Sequence, residues 1–245
     1  MRSGRCARFC ALGHYLPFYI RYAAHHGFDG IWLDLEHRAM DQREVQSILS
    51  MCHQHDIDCM VRAPTQERTK LYRYFEDGAS GLLMPLVDNA EEARQIAQAV
   101  KFPPIGNRGI DGAGLDADYA LDVDNFTDDA NDETFVIVQI ETHNALQQVD
   151  EIAAVEDVDG VFVGPADLSL RLGLIDGAPT LEEAIVQVAA AAARQGKVWG
   201  TAGGDVEIWK KHREMGAQIL IGAGDFALTG VLEAASKRMD EALGD

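Results

Sequence analysis

The stretch "GVFVGPADLS", Gly160 to Ser169, runs three apolar residues, Val161, Phe162 and Val163, into the break Gly164-Pro165 and then presents a carboxylate, Asp167. A strand with one face in water alternates polar and apolar residues. An unbroken apolar run reads instead as a parallel strand covered on both faces. Six more runs share this character: "GIWLDLEH" (30–37), "CMVRAP" (59–64), "GLLMPLV" (81–87), "FVIVQIE" (135–141), "KVWGTAG" (197–203) and "QILIGAGD" (218–225). An eighth, "CARFCAL" (5–11), is weaker.

Amphipathic helices separate these runs. Ala93, Ile96, Ala97 and Val100 fall at helical spacing after a capping-box pattern Asp88-x-x-Glu91. Thr180-x-x-Glu183 opens another helix carrying Leu181, Ala184, Ile185 and Val188, with Gly196 placed to end it. Glycine repeatedly marks the return to a strand, at Gly27, Gly78, Gly196 and Gly216. Eight such units in 245 residues, without a low-complexity linker, predict an α/β fold of the TIM (β/α)8 type, with residues 1–245 as one domain. A doubly wound sheet is the alternative, but no strand runs into a dinucleotide fingerprint. The glycine-rich "GNRGIDGAG" (106–114) follows a helix and Pro103-Pro104, and reads as a loop.

Composition narrows the function classes. The chain carries 21 basic and 40 acidic residues, a formal net charge of −19, so a nucleic acid or an acidic membrane surface would be repelled. No apolar run is long enough to span a bilayer, and "MRSGRCARFCALGH" lacks the uninterrupted apolar core of a cleaved signal. A cytoplasmic protein is expected. Four cysteines (Cys6, Cys10, Cys52, Cys59) do not make a disulfide framework. "CHQHDIDC" (52–59) superficially suggests zinc, but Cys52 ends the apolar stripe Val45, Ile48, Leu49 and Cys59 begins a strand, so packing is the preferred reading.

One segment breaks the rhythm. Residues 103–133 are rich in aspartate (Asp111, Asp116, Asp118, Asp122, Asp124, Asp128, Asp129, Asp132) and too long for a structureless loop. Short helices, a cover over a site or a subunit contact would each account for it. If it lined a substrate pocket, anionic substrates would be disfavoured.

In a TIM barrel the chemistry sits where strands end. The strand ends here supply Asp34, Glu36 and His37, then Arg62, then Gln139 and Glu141, then Asp167; the others end in small residues. Two acids on neighbouring strands, Glu141 and Asp167, suit a hard divalent ion with open positions for a chelating substrate. Glycosidase acid/base work is the other use of such a pair, disfavoured by the scarcity of aromatic residues. A cap or an arginine partner would explain Asp167 alone, but not the joint set. His37 near Asp34 reads as a base oriented by a carboxylate, and Arg62 as a donor fork for a carboxylate or oxyanion, or as a salt bridge to Glu36 across the mouth. The remaining histidines (His14, His25, His26, His53, His55, His143, His212) read as surface or helix residues.

The motifs "DLEH" (34–37), "VRAP" (61–64), "LLMPLVDNAEEAR" (82–94), "PPIGNRG" (103–109), "VQIET" (138–142), "DVDGVFVGPADLS" (157–169) and "IGAGDFALT" (221–229) resemble, in order and spacing, the HpcH/HpaI aldolase family of class II, metal-dependent pyruvate aldolases. The resemblance implies a TIM barrel assembling as a homohexamer whose final helix packs on a neighbour. It implies a divalent metal (Mg²⁺ or Mn²⁺, with Co²⁺ or another ion as alternatives) on Glu141 and Asp167, and pyruvate plus an aldehyde, or a 4-hydroxy-2-oxo acid, as substrates. Gly164, Pro165, Ala166 and Asp167 would hold the pyruvate carboxylate, with Gln139 also on the substrate. Arg62 would stabilise the oxyanion, His37 would be the base with Asp34 orienting it, and Glu76 would correspond to an acid that raises the basicity of the histidine. No lysine stands where it could form a Schiff base; Lys197 begins a strand at the far face. The rival readings are a citrate-lyase-like acyl-CoA thioester lyase and a catalytically silent keto-acid-binding paralogue. Two features depart from the family pattern: the weak first strand, and the acidic stretch after "GNRG".

Overall fold

A computed structural model describes residues 4–121 and 124–244. Eight parallel strands, β1 (Ala7–Leu12), β2 (Gly30–Asp34), β3 (Asp58–Arg62), β4 (Gly81–Met84), β5 (Phe135–Ile140), β6 (Gly160–Val163), β7 (Val198–Ala202) and β8 (Ile219–Gly224), pair in chain order, and β8 closes on β1. The eleven α-helices of the described residues are α1 (Pro17–His25), α2 (Gln42–Gln54), α3 (Arg68–Glu76), α4 (Ala90–Val100), α5 (Phe126–Glu133), α6 (His143–Gln147), α7 (Val149–Ala153), α8 (Pro165–Leu172), α9 (Leu181–Gln195), α10 (Val206–Glu214) and α11 (Leu228–Leu243). The TIM barrel expected from the apolar runs is present, its first strand included.

Both faces of the strands are buried, which is why the runs do not alternate. Phe9, Met60, Phe135, Phe162, Ile219 and Ile221 fill the barrel interior, while Leu33, Val61, Leu82, Val138 and Val161 face the helices. Gly81 makes room for this filling, since a Cβ there would collide with the Phe135 ring. Cys52 and Cys59 are both buried in the helix–sheet layer, as packing required.

Local signals set most helix ends. Thr180 and Glu183 form the expected capping box on α9, and Gly196 ends that helix with φ +65. Asp41 and Glu44 form a second box on α2. The box expected at Asp88 and Glu91 is displaced by one residue. Asn89 caps α4 by accepting the Glu92 N–H, and Glu92 accepts the Asp88 N–H. Asp88 is engaged elsewhere, its carboxylate accepting from Thr142 and its carbonyl from Asn144.

The acidic segment lies at the N-terminal end of the barrel. Because α4 carries the chain back from the strand tips, residues 103–133 start at the opposite mouth, where Leu115 packs against Gly78 and Phe126 against Phe102. They contain a 3₁₀ turn, Leu115–Ala120, and α5. Within one chain this segment does not line the strand-end rim, so its charge sets no preference there. Asp122 lies outside the described residues.

Candidate active site

Asp34 and Arg62 are partners in register on β2 and β3 and point into the barrel one layer above Trp32 and Met60. Arg62 Nη2 lies 2.8 Å from Asp34 Oδ2, and Nε donates to Oδ1 at 3.0 Å, a two-point ion pair. Arg62 Nη1 also lies 3.2 Å from Glu36 Oε2, and the guanidinium covers the Trp32 ring at 4.8 Å. Burial alone would raise the Asp34 carboxyl, but the hydrogen bond and charge of Arg62, helped by the His37 backbone N–H, outweigh it and hold it below the usual range.

That pairing corrects the role expected of Asp34. Its carboxylate belongs to Arg62 and reaches His37 only through the backbone N–H, at 3.3 Å. The His37 ring instead faces Glu36, with Nε2 3.5 Å from Oε2. The salt bridge between Arg62 and Glu36 is also present, so Arg62 serves both carboxylates.

Across the barrel, β5 delivers Gln139 and Glu141, 1% and 3% exposed. Glu141 Oε1 accepts from Gln139 Nε2 at 2.5 Å and Oε2 from the Leu86 N–H at 2.9 Å. Burial raises the Glu141 carboxyl; the Leu86 N–H and Arg62 oppose this, and the charges of Glu36 and Asp167 add to it. Gly164 is required beside it, because a Cβ would run into the Glu141 carboxylate. Asp167, in the first turn of α8, lies 3.5 Å from Arg171 Nη2, and Arg171 Nη1 donates to the Glu141 carbonyl at 3.0 Å. Arg171 was not anticipated from the sequence, although its i,i+4 spacing from Asp167 was visible. No side chain caps α8, so the N–H groups of Ala166 and Asp167 after Pro165 remain available to an anion.

Four carboxylates (Asp34, Glu36, Glu141, Asp167) thus share this rim with two guanidiniums, Arg62 and Arg171. Gln139 Oε1 and Glu36 Oε2 are buried without a hydrogen-bond partner. No group of three or more His, Cys, Asp or Glu side chains forms a metal cage among the described residues. The rim fits instead an ion that takes few protein ligands: all its donors are hard oxygens, the negative charge is in excess, and Gly164 keeps the space beside Glu141 open.

One expected residue stands apart from the rim within the chain. Glu76 ends α3 and so lies at the opposite end of the chain's own barrel, beside Arg108 and Asp116; burial there raises its carboxyl. The helix runs antiparallel to the strands, so its last residue cannot reach their tips in the same chain. His14 is a surface residue as expected, and it also has a carboxylate partner: its Nδ1 is 2.7 Å from Asp225 Oδ2. No local pattern signals that pairing, since the two are 211 positions apart.

A closed parallel barrel with an acidic, arginine-bearing strand-end rim defines a TIM-barrel protein with a candidate site at its strand tips. The profile of the HpcH/HpaI aldolase/citrate lyase family matches residues 13–228, and the chain belongs to that family. It is 36% identical over 207 residues to a hydroxypyruvate/pyruvate aldolase of Deinococcus radiodurans, covering 82% of this chain and 73% of that one. It is 32% identical over 215 residues to a 4-hydroxy-2-oxo-heptane-1,7-dioate aldolase of Escherichia coli, covering 86% and 82%. The crystal structure of an HpcH/HpaI aldolase from Desulfitobacterium hafniense superposes with a TM-score of 0.90 at 33% identity, covering 98% and 94%.

Proposed function

We propose that this chain is a metal-dependent carbon–carbon lyase that reversibly cleaves a 4-hydroxy-2-oxo acid to pyruvate and an aldehyde through the pyruvate enolate. The observation that carries the reading is the convergence of Arg62, Gln139, Glu141 and Asp167 on one rim, in a chain whose relatives are named as pyruvate aldolases. Glu141 and Asp167 would hold a divalent ion, Mg²⁺ or Mn²⁺ by the hardness of the donors, with Co²⁺ as an alternative. Bound there, such an ion supplies Lewis-acid polarisation of the keto group and a template for the substrate.

The chain's own groups do the rest. The free N–H groups of Ala166 and Asp167 receive the substrate carboxylate, and Gln139 leaves its unpartnered amide oxygen on the same rim as an acceptor for a substrate hydroxyl or bound water. Arg62, immobilised by Asp34 and Glu36, sets positive charge against the oxygen that becomes anionic as the enolate forms. His37, exposed at the mouth beside Glu36, takes the methyl proton of pyruvate in the synthetic direction and returns it on cleavage. Glu76 has no part in this rim within one chain.

The reading includes a homohexamer and a cytoplasmic location. In support of assembly, α11 buries none of its residues and presents Leu228, Val231, Leu232, Met239 and Leu243 outward. In support of a reducing compartment, all four cysteines are unpaired.

The test avoids the unknown aldehyde. Pyruvate is incubated with the protein in D₂O, with Mg²⁺ and then with EDTA, and the methyl proton signal is followed by NMR. The expected result is metal-dependent exchange, lost in Asp167→Asn and in His37→Ala. Absence of exchange in the folded, metal-supplied protein overturns the reading in favour of a thioester lyase or a silent paralogue.

A further inference from the structure

Arg171 is a cation of the rim to which the proposed chemistry gives no task. It stands in the last turn of α8, four residues after Asp167. Its Nη2 lies 3.5 Å from Asp167 Oδ1, and its Nη1 donates to the Glu141 carbonyl at 3.0 Å. One guanidinium therefore meets both residues assigned to the divalent ion, the side chain of one and the backbone of the other. The two are held differently. Glu141 is buried, and its oxygens accept from neutral donors, the Gln139 amide and the Leu86 N–H. The Asp167 side chain is 45% exposed, and its carboxylate meets no partner but Arg171 among the described residues.

A helix pair would be the plain explanation. An exposed i,i+4 ion pair adds little to a helix, and a cation in the last turn suits the helix dipole. Neither requires the second bond, which leaves α8 and crosses to the tip of β5. That bond pins the guanidinium beside the ligands of the ion, and its charge then acts there. An ion on Asp167 shares the carboxylate with a cation already in place. The repulsion reduces the ion's affinity, and at this distance it outweighs the small gain from holding Asp167 still. On an anion the same charge acts with the opposite sign. The substrate carboxylate, placed above at the N–H groups of Ala166 and Asp167, lies within its reach because helical side chains lean towards the N-terminus.

We propose that Arg171 is a positioning residue that acts through Asp167, loosening the divalent ion while drawing in the anionic keto acid. This rests on the aldolase reading above. The ion stays exchangeable, and the rim, otherwise rich in carboxylates, still accepts a negatively charged substrate.

The experiment reads the two ligands separately. Mn²⁺ affinity is measured without pyruvate, by the electron spin resonance signal of the free ion. Pyruvate affinity is the concentration giving half the maximal rate of methyl exchange in D₂O at saturating Mg²⁺. Arg171→Met and Arg171→Gln are expected to bind Mn²⁺ about three- to tenfold more tightly and to need about three- to tenfold more pyruvate. Arg171→Lys, which keeps the charge, should stay close to the wild type on both scales. Circular dichroism checks the fold of each variant. A residue that only braces the rim would on removal weaken both ligands together. That outcome, unchanged Mn²⁺ binding in both uncharged variants, or a lysine variant displaced as far as the methionine one overturns the proposal and leaves the aldolase reading intact. Failure of pyruvate exchange in the metal-supplied wild type overturns the reading itself and this inference with it.

Discussion

Asp34 and Arg62 stand opposite each other in register on adjacent strands and are joined by a hydrogen bond of 3.0 Å and an ion-pair contact of 2.8 Å. The fork fixes the guanidinium plane, and a lysine cannot reproduce it. Arg62→Lys is therefore expected to lower kcat for cleavage about a hundredfold, as loss of an oxyanion donor does elsewhere, with a smaller change in KM. Steady-state rates at saturating metal check this; unchanged kcat would remove Arg62 from the transition state.

The same pair makes stability depend on pH. The Asp34 carboxyl is held below its ordinary value in the folded chain, so its contribution is full above the unfolded-state value of about 3.9 and is lost as the pH falls through the lower folded value. Asp34→Asn should cost about 1–3 kcal/mol at pH 7. Its deficit relative to the wild type should shrink in urea unfolding curves taken below about pH 4. A deficit constant with pH would mean that the pair contributes through shape alone.

Glu141 and Asp167 should control metal affinity separately from turnover. Mn²⁺ titrated into the protein and followed by its electron spin resonance signal should bind at least about tenfold more weakly to Asp167→Asn and to Glu141→Gln. EDTA should abolish activity in the wild type, and Mg²⁺ should restore it. Undiminished binding in both variants would place the ion elsewhere.

Gly164→Ala puts a methyl group into the Glu141 carboxylate. Loss of metal binding and a destabilisation of about 1–3 kcal/mol are expected. Gly109→Ala, where a Cβ meets nothing within 4 Å, is the matched control. Equal behaviour of the two variants would show that the space beside Glu141 is not needed.

Removal of the chain from Leu228 onward takes away α11, none of whose residues is buried within the chain. Sedimentation velocity should then show a smaller particle than the full chain, with the barrel's circular dichroism retained. An unchanged particle size would assign assembly to another face.

The barrel was legible in the sequence because burial on both faces of every strand leaves a continuous apolar run, and because strand tips are where polar residues interrupt it. Asp34, Arg62, Gln139, Glu141 and Asp167 were found in that way. What escaped are relations between tips. Strand order alone did not say that Asp34 would be engaged by Arg62 in place of the His37 ring. Nor could local pattern join His14 to Asp225 from opposite ends of the chain. Glu76 matched a family position, but helix polarity sends it to the other mouth. The capping box at Asp88 slipped by one residue because Thr142, far along the chain, takes the Asp88 carboxylate.

The bond from the Gly13 N–H to Asp225 spans 212 positions, and β8 closes on β1 beside it. A chain still emerging from the ribosome already holds Asp34, Arg62, Glu141 and Asp167 before β8 has been made, but it has no closed wall to hold them against one another. Closure of the wall that holds these residues against one another therefore waits for the last strand. The delay costs little thermodynamically, since doubling a loop's length adds only about 0.6 kcal/mol to closing it. It does mean that a prematurely ended chain would carry these residues in an open sheet, without an assembled active site.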